Sequence, residues 1–219
     1  FQLHICNEII NKELTVDKLN KVISKILNKS CELYKNGWLR SLIYNEIIDF
    51  DGMALPWLPY SAIDFLKERL KKEMIVFEYG SGYSTLWLAN IVSEVYSVEH
   101  NLDWYSKLLD RAPSNVKYKY IPLTYNSVYC KEVASYDNKF DVIIIDGRDR
   151  VNCCKNSISA LKNDGVIIWD DTSRDYYYEG YNFLKEKGFK ELRFKGIGPN
   201  RLGGNQTSIF FRETNCFGI

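Results

Sequence analysis

The chain has 219 residues, 46% of them hydrophobic, enough for one domain with a sizeable core, or one domain with an extension. Its 29 Lys and Arg oppose 28 Asp and Glu, and this balance excludes the basic surplus on which non-specific nucleic-acid binding depends. No run approaches 18 uninterrupted apolar residues, so a membrane span is not expected.

The N-terminal stretch FQLHICNEII lacks the basic leader and long apolar core of a signal peptide, and it lacks a starting Met. It reads as a segment of a longer or processed polypeptide. Cys6, Cys31, Cys130, Cys153, Cys154 and Cys216 form no CxxC pair, and no His stands at metal-binding spacing from them, which argues against zinc. The adjacent Cys153 and Cys154 fit a helix as reduced, small apolar residues, as in a cytoplasmic protein.

Residues 1–72 read mostly as helix. Leu14, Leu19, Val22, Ile23, Ile26 and Leu27 recur at helical spacing, and ordinary packing is the expected fate of that stripe. Pro56 and Pro59 interrupt the pattern. Ser61 and Asp64 then resemble a capping box that opens a helix running to about Lys72.

From residue 74 short apolar runs alternate with amphipathic stretches: MIVFEY, EVYSVEH, VKYKYIPL, FDVIIIDG, GVIIWDD, FKELRFKG and QTSIFFRE. DVIIID and VIIWD are apolar nearly throughout, as strands covered on both faces should be. The helix YYEGYNFLKEKG ends at Gly188, a C-cap signal. The last two runs are joined by a glycine-rich segment without a helix, so they should pair antiparallel. The expected fold is a doubly wound α/β domain with a mostly parallel seven-stranded sheet, a final antiparallel hairpin and a helical N-terminal extension. The expected division is an extension or substrate cap over 1–60 and a catalytic domain over 61–219.

At the end of the first strand, VFEYGSGYSTLW sets Glu78 two places before a glycine turn. Gly80 and Gly82 allow a tight turn and close approach of a ligand, and the helix opening near Ser84 offers free N–H groups. An anion suits the helix end and a cation suits Glu78, so the implied ligand has both, as an amino acid does. Glu99 stands at the end of the second strand, where a carboxylate meets ribose hydroxyls in nucleotide-binding folds. Amino acid plus ribose describes S-adenosylmethionine.

With Glu78, Gly80, Gly82 and the place of Glu99, the sequence resembles class I S-adenosylmethionine-dependent methyltransferases over roughly residues 60–214. Ser84 stands where that family often has a third glycine. The resemblance implies that Glu78, Gly80, Gly82 and Ser84 surround the methionine part and Glu99 the ribose. Where many relatives carry an acidic residue for the adenine, this chain offers only Thr124, Asn126 and Ser127. The rival ligand is a dinucleotide, as in an NAD(P)-dependent oxidoreductase, but its fingerprint wants a glycine where Thr85 stands.

Asp146 ends the fourth strand, and Asp170 and Asp171 end the fifth, in one crevice. The arrangement resembles metal-dependent O-methyltransferases of the catechol and sugar-modifying kinds, which implies Mg²⁺ or Mn²⁺ on Asp146, Asp170 and Asp171. The alternative is neutralisation of these carboxylates by Arg148 or Arg150, with Asp171 capping a helix. Asp146 and His100 are candidate bases, and Arg148 a candidate for positioning the acceptor. Trp57, Tyr60, Tyr176, Tyr177 and Tyr178 could form a flat wall for a ring. The segment 196–205, with four glycines and Arg201, reads as a mobile lid. The order of motifs further resembles small methyltransferases of glycan assembly, including domains of virus-encoded glycan-building enzymes. That resemblance implies O-methylation of a glycan or small-molecule acceptor, for instance the hydroxyl of a deoxyhexose such as rhamnose, beside a glycosyltransferase domain in the same polypeptide. A catalytically silent domain that docks a glycosyltransferase is the reading outside enzymology.

Overall fold

The computed structural model describes residues 15–219. Leu14, Cys6 and the FQLHICNEII stretch lie outside the described residues. Among the described residues four helices come first: α1 (Val16–Ile26), α2 (Glu32–Lys35), α3 (Trp38–Tyr44) and α4 (Tyr60–Arg69). Then follow β1 (Ile75–Tyr79), α5 (Tyr83–Ala89), β2 (Glu94–Glu99), α6 (Leu102–Leu109) and β3 (Val116–Tyr120). The remainder is α7 (Val128–Lys131), β4 (Phe140–Ile145), α8 (Arg150–Ser157), β5 (Leu161–Asp170), α9 (Tyr178–Glu186), β6 (Lys190–Gly196) and β7 (Asn205–Phe211).

The strands form one seven-stranded sheet in the order β3-β2-β1-β4-β5-β7-β6. The first five are parallel, and β7 pairs antiparallel with both β5 and β6. The fold is the expected one. Strand side chains alternate between two apolar layers, as a period of two requires. Phe77, Tyr79, Ile143, Ile145, Ile167 and Trp169 face a layer shared with α7, α8 and α9. Val76, Val142, Ile144, Val166 and Ile168 face the opposite layer, with α4 and α5. Chain order reverses between β1 and β4, and the carboxyl ends of these strands open the crevice there.

Local details depart from the sequence pattern for identifiable reasons. Helix α4 begins at Tyr60 behind Pro59, without a side-chain cap, so Ser61 lies inside the first turn rather than capping it. It ends at Arg69 because Leu70 is extended. Gly188 does follow α9, with φ +82°, and the last turn closes through Gly188 N–H to the Lys185 carbonyl and Phe189 N–H to that of Leu184. The apolar stripe of α1 does not pack: none of its residues is buried, and Leu19, Val22 and Ile23 are exposed. By contrast Leu55 and Leu58 are buried in the α4–α5 layer, with Trp38 and Ile47 packed against it. The five described cysteines are all free thiols. No helix among the described residues is long and apolar enough to cross a membrane.

Gly180 sits inside α9, where glycine ordinarily weakens a helix. Its reason is Trp169, fully buried at the end of β5, whose ring atom Cη2 would lie 2.4 Å from a Cβ at position 180. Gly180→Ala is therefore expected to lower stability by about 1–3 kcal/mol despite the better helix propensity of alanine. A urea unfolding midpoint at or above that of the parent protein would contradict this packing.

Candidate active site

The glycine turn after β1 is built by two different glycine requirements. Gly80 has φ +86°, and a Cβ there would stand 2.6 Å from Gly147 Cα, so the β1 and β4 loops touch through bare backbone. The Tyr79 carbonyl accepts from Asp146 N–H at 3.0 Å across the same gap. Gly82, at φ 179°, has ordinary extended backbone, and a Cβ there would meet nothing closer than 3.9 Å. Its missing side chain leaves open space toward the crevice.

Glu99 closes the turn from β2. Its Oε2 accepts from Ser81 N–H at 2.9 Å, and its Oε1 from the N–H groups of His100 and Asn101 at 2.8 and 2.7 Å. The carboxylate thus pins two loops and still lines the cavity. His100 lines it too, edge-on to Tyr129, with Nδ1 2.9 Å from Glu99 Oε1 but off the hydrogen-bonding direction. Trp104, which sequence reasoning missed, donates its indole N–H to the Ser81 carbonyl at 2.6 Å and forms the wall there.

Glu78 lies deeper than expected. It is fully buried behind the turn and does not line the cavity. Its Oε2 accepts from Thr85 Oγ1 at 2.5 Å and Ser97 Oγ at 2.8 Å, and Thr85 Oγ1 in turn accepts from Gly82 N–H at 3.0 Å. Glu78 therefore holds Gly82 through Thr85, the residue that stands in place of a dinucleotide-binding glycine. Its other oxygen, Oε1, is buried without a partner. Burial pushes the carboxyl up to about 7, with the hydroxyls of Ser84, Thr85 and Ser97 pulling it back.

The three aspartates do converge, but around a guanidinium. Arg150, buried at the start of α8, donates Nε to the Gly147 carbonyl at 2.9 Å and Nη1 to the Asp170 carbonyl at 2.5 Å. Its Nη2 reaches Asp146 Oδ1 at 2.9 Å and lies 3.5 Å from Asp171 Oδ2. Arg174 holds Asp171 Oδ2 at 2.7 Å. Asp170 Oδ1 is taken by Asn205 Nδ2 at 2.9 Å and Thr207 Oγ1 at 2.5 Å. Among the described residues no group of three or more His, Cys, Asp or Glu side chains is disposed to hold a metal ion. The expected Mg²⁺ or Mn²⁺ set of Asp146, Asp170 and Asp171 is therefore not supported: Arg150 supplies positive charge to Asp146 and Asp171, Arg174 adds to it at Asp171, and Asp170 Oδ1 is taken by Asn205 and Thr207. Asp171 caps no helix; it holds a left-handed turn at φ +59°. Burial, and then the Asp170 charge, raise the proton affinity of Asp146 well above the ordinary aspartate range, with Arg150 opposing.

The far wall comes from the N-terminal segment and the β6–β7 loop, with Trp57, Tyr44, Asn200 and Arg201 on the cavity. Of the other expected wall aromatics, Tyr60 and Tyr177 are buried, and Tyr176 and Tyr178 point to solvent; none lines the cavity. The loop is not a free lid. The Ile197 carbonyl accepts from Tyr60 N–H at 3.0 Å, and a Cβ at Gly198 would collide with the Leu58 carbonyl at 2.3 Å. The β3 loop residue Asn126 donates its N–H to Asp149 at 2.7 Å, and Thr124, Asn126 and Ser127 stay off the cavity. Together these walls enclose about 1190 Å³.

No protein-family model matches this sequence, and no curated protein matches it. Among solved structures it is similar to an rRNA methylase from Streptococcus thermophilus at 17% identity and TM-score 0.54, over 73% of this chain and 99% of that one. A precorrin-6y C5,15-methyltransferase from Geobacter metallireducens matches at 14% identity and TM-score 0.52, over 69% and 87%. Spermidine synthase from Thermotoga maritima matches at 15% and 0.51, over 69% of this chain and 57% of that one. The chain has the Rossmann-like fold of these methyltransferase structures, and the same fold also carries a synthase.

Two outcomes follow from the buried charges. A group whose proton affinity is raised by folding stabilises below its unfolded pKa and loses that contribution as pH rises through the folded one. Stability should therefore fall between about pH 4.5 and 7 through Glu78, and Glu78→Gln should flatten that slope in urea titrations across this range. Arg150→Ala strands buried carboxylates and is expected to cost about 3–5 kcal/mol, measured the same way.

Proposed function

We propose that this protein transfers a methyl group from S-adenosylmethionine to a hydroxyl oxygen, that of a sugar being the acceptor we assign. The observation that carries the reading is Glu99 at the end of β2, facing the cavity beside the Gly80–Gly82 turn. The residues fit the donor: Glu78 keeps an unpartnered buried oxygen behind the turn, and Gly82 leaves space that a side chain would fill. Gly80, Gly82 and Ser84 would hold the methionine end, with Glu78 supporting them from below, and Glu99 would take the ribose hydroxyls. When bound, S-adenosylmethionine supplies a methyl group on a sulfonium, an electrophile open to in-line attack.

The chain must then place a hydroxyl and remove its proton. Asp146 is the base we assign. Arg150 takes one of its carboxylate oxygens and the side chain is 28% exposed, which leaves the other oxygen for the acceptor. Burial and the Asp170 charge raise its proton affinity, which brings it closer to that of an alcohol. His100 is held between Glu99 and Tyr129 and orients the donor side instead. Arg148, exposed on the cavity rim, positions the acceptor. In this reading Trp57 and Tyr44, from the extension over 1–60, cap the acceptor above a catalytic unit formed by 61–219. No step passes through a metal, because Arg150 occupies the centre of the carboxylate cluster.

Calorimetry should detect S-adenosylhomocysteine and no binding of NAD; the reverse result would favour an oxidoreductase. Glu99→Gln is expected to weaken S-adenosylhomocysteine by about 1–3 kcal/mol. In Asp146→Asn the amide oxygen still meets Arg150, so turnover should fall about 100-fold or more with donor affinity kept. Turnover with labelled donor should persist in excess chelator, and its loss there would restore the metal.

A further inference from the structure

Arg201 is a residue that the proposed chemistry does not use, yet it is held with unusual care. Its guanidinium lies 4.4 Å from the ring centroid of Trp57. Its carbonyl accepts the indole N–H of Trp38 at 2.7 Å. The preceding Asn200 adopts φ +52°, donates its backbone N–H to Ser41 Oγ at 2.7 Å and its side-chain amide to Asn45 at 3.0 Å. Ser41 is fully buried and anchored to α3. The arginine is thus fixed by α3, by a stacked indole and by a left-handed residue, on the wall of the cavity.

What the arginine lacks is a carboxylate. Among the described residues Arg201 makes no ion pair, and its Nε is buried with no hydrogen-bond partner. Arg148 lines the same cavity and makes no ion pair either. The neighbouring cations are accounted for: Arg150 meets Asp146 and Asp171, and Arg174 meets Asp171. Asp170 is absorbed by Asn205 and Thr207. Glu46 lines the same wall and is exposed, without an ion pair among the described residues, while Glu99, Asp103 and Lys107 line the cavity from the β2–α6 side. A half-buried guanidinium held against an indole, with an Nε that has no partner among the described residues, matches a planar or tetrahedral anion, because the fork satisfies two acceptor oxygens at once.

We infer that the acceptor carries a negative charge, a carboxylate or a phosphate, bound by Arg201 with Arg148 across the cavity. This deepens the methyl-transfer reading, and rests on it for the identity of the ligand as acceptor. In its terms the substrate is an acidic sugar: a uronic acid or a sugar phosphate rather than a neutral glycoside. Stacking on Trp57 then serves two ends, screening one face of the guanidinium from water and directing its edge into the cavity.

The test is calorimetry on the protein saturated with S-adenosylhomocysteine, using glucuronate, glucose 1-phosphate, inorganic phosphate and methyl glucoside as probes. At least one anion should bind 10-fold or more tightly than methyl glucoside and weaken as NaCl is raised. Preference for glucuronate or for the two phosphates distinguishes carboxylate from phosphate. Arg201→Gln should reduce that affinity 10-fold or more while S-adenosylhomocysteine binds as before, with Arg148→Gln giving a smaller loss in the same direction. Equal binding of charged and neutral probes, no binding of any anion, or indifference to both substitutions would overturn the inference. Failure of S-adenosylhomocysteine to bind would instead remove the donor reading. The anion titrations, run on the unliganded protein, would then still decide the subsite.

Discussion

One buried guanidinium sets the terms for the crevice. Strands β4 and β5 deliver three carboxylates to one place, and burial makes uncompensated negative charge there costly. Arg150 answers this with donors to three carbonyls and the Asp146 carboxylate and an ion pair to Asp171, spread over both strand ends. Its position at the start of α8 is itself set by Asp149, whose left-handed backbone turns the chain and whose side chain receives Asn126 and Asn152. The same residue thus joins structure to chemistry: the neutralised cluster shapes the wall, and it leaves Asp146 with one oxygen uncommitted.

On the other side of the crevice a second buried acid works through intermediaries. Glu78 touches no part of the cavity, but its bond to Thr85 carries on to Gly82 N–H, and its bond to Ser97 ties β1 to β2. Ser81 Oγ lies 2.8 Å from Ser97 Oγ, so the hydroxyls form a continuous patch under the turn. A turn held from below keeps its upper face free for a ligand. The Glu78 Oε1, buried without a hydrogen bond among the described residues, is a standing cost of that arrangement.

The third wall has a different origin. It is assembled from segments about 160 residues apart, joined by Trp38 to Arg201 and Ser41 to Asn200. A wall made this way can vary apart from the rest of the crevice, which suits a fold whose function is changed by varying its loops.

Periodicity alone determined the sheet. Apolar runs such as DVIIID and VIIWD, covered on both faces, admit little but central parallel strands, and the missing helix before QTSIFF requires the closing hairpin. Gly80, Glu99 and Asp146 were legible for the same reason: in a doubly wound sheet, residues at strand ends share one crevice whatever their partners. Partners were not legible. Whether a metal or Arg150 meets the aspartates, whether Glu78 faces the ligand or stands behind Thr85, and whether the glycine loop swings or is tied to α3 all depend on side-chain directions and distant segments. Helical spacing likewise could not say that Leu19, Val22 and Ile23 of α1 stay exposed while Leu55 and Leu58 are buried. Spacing is a property of neighbours along the chain, whereas charge compensation and burial depend on what the rest of the molecule places within a few ångströms, and only the tertiary structure decides that.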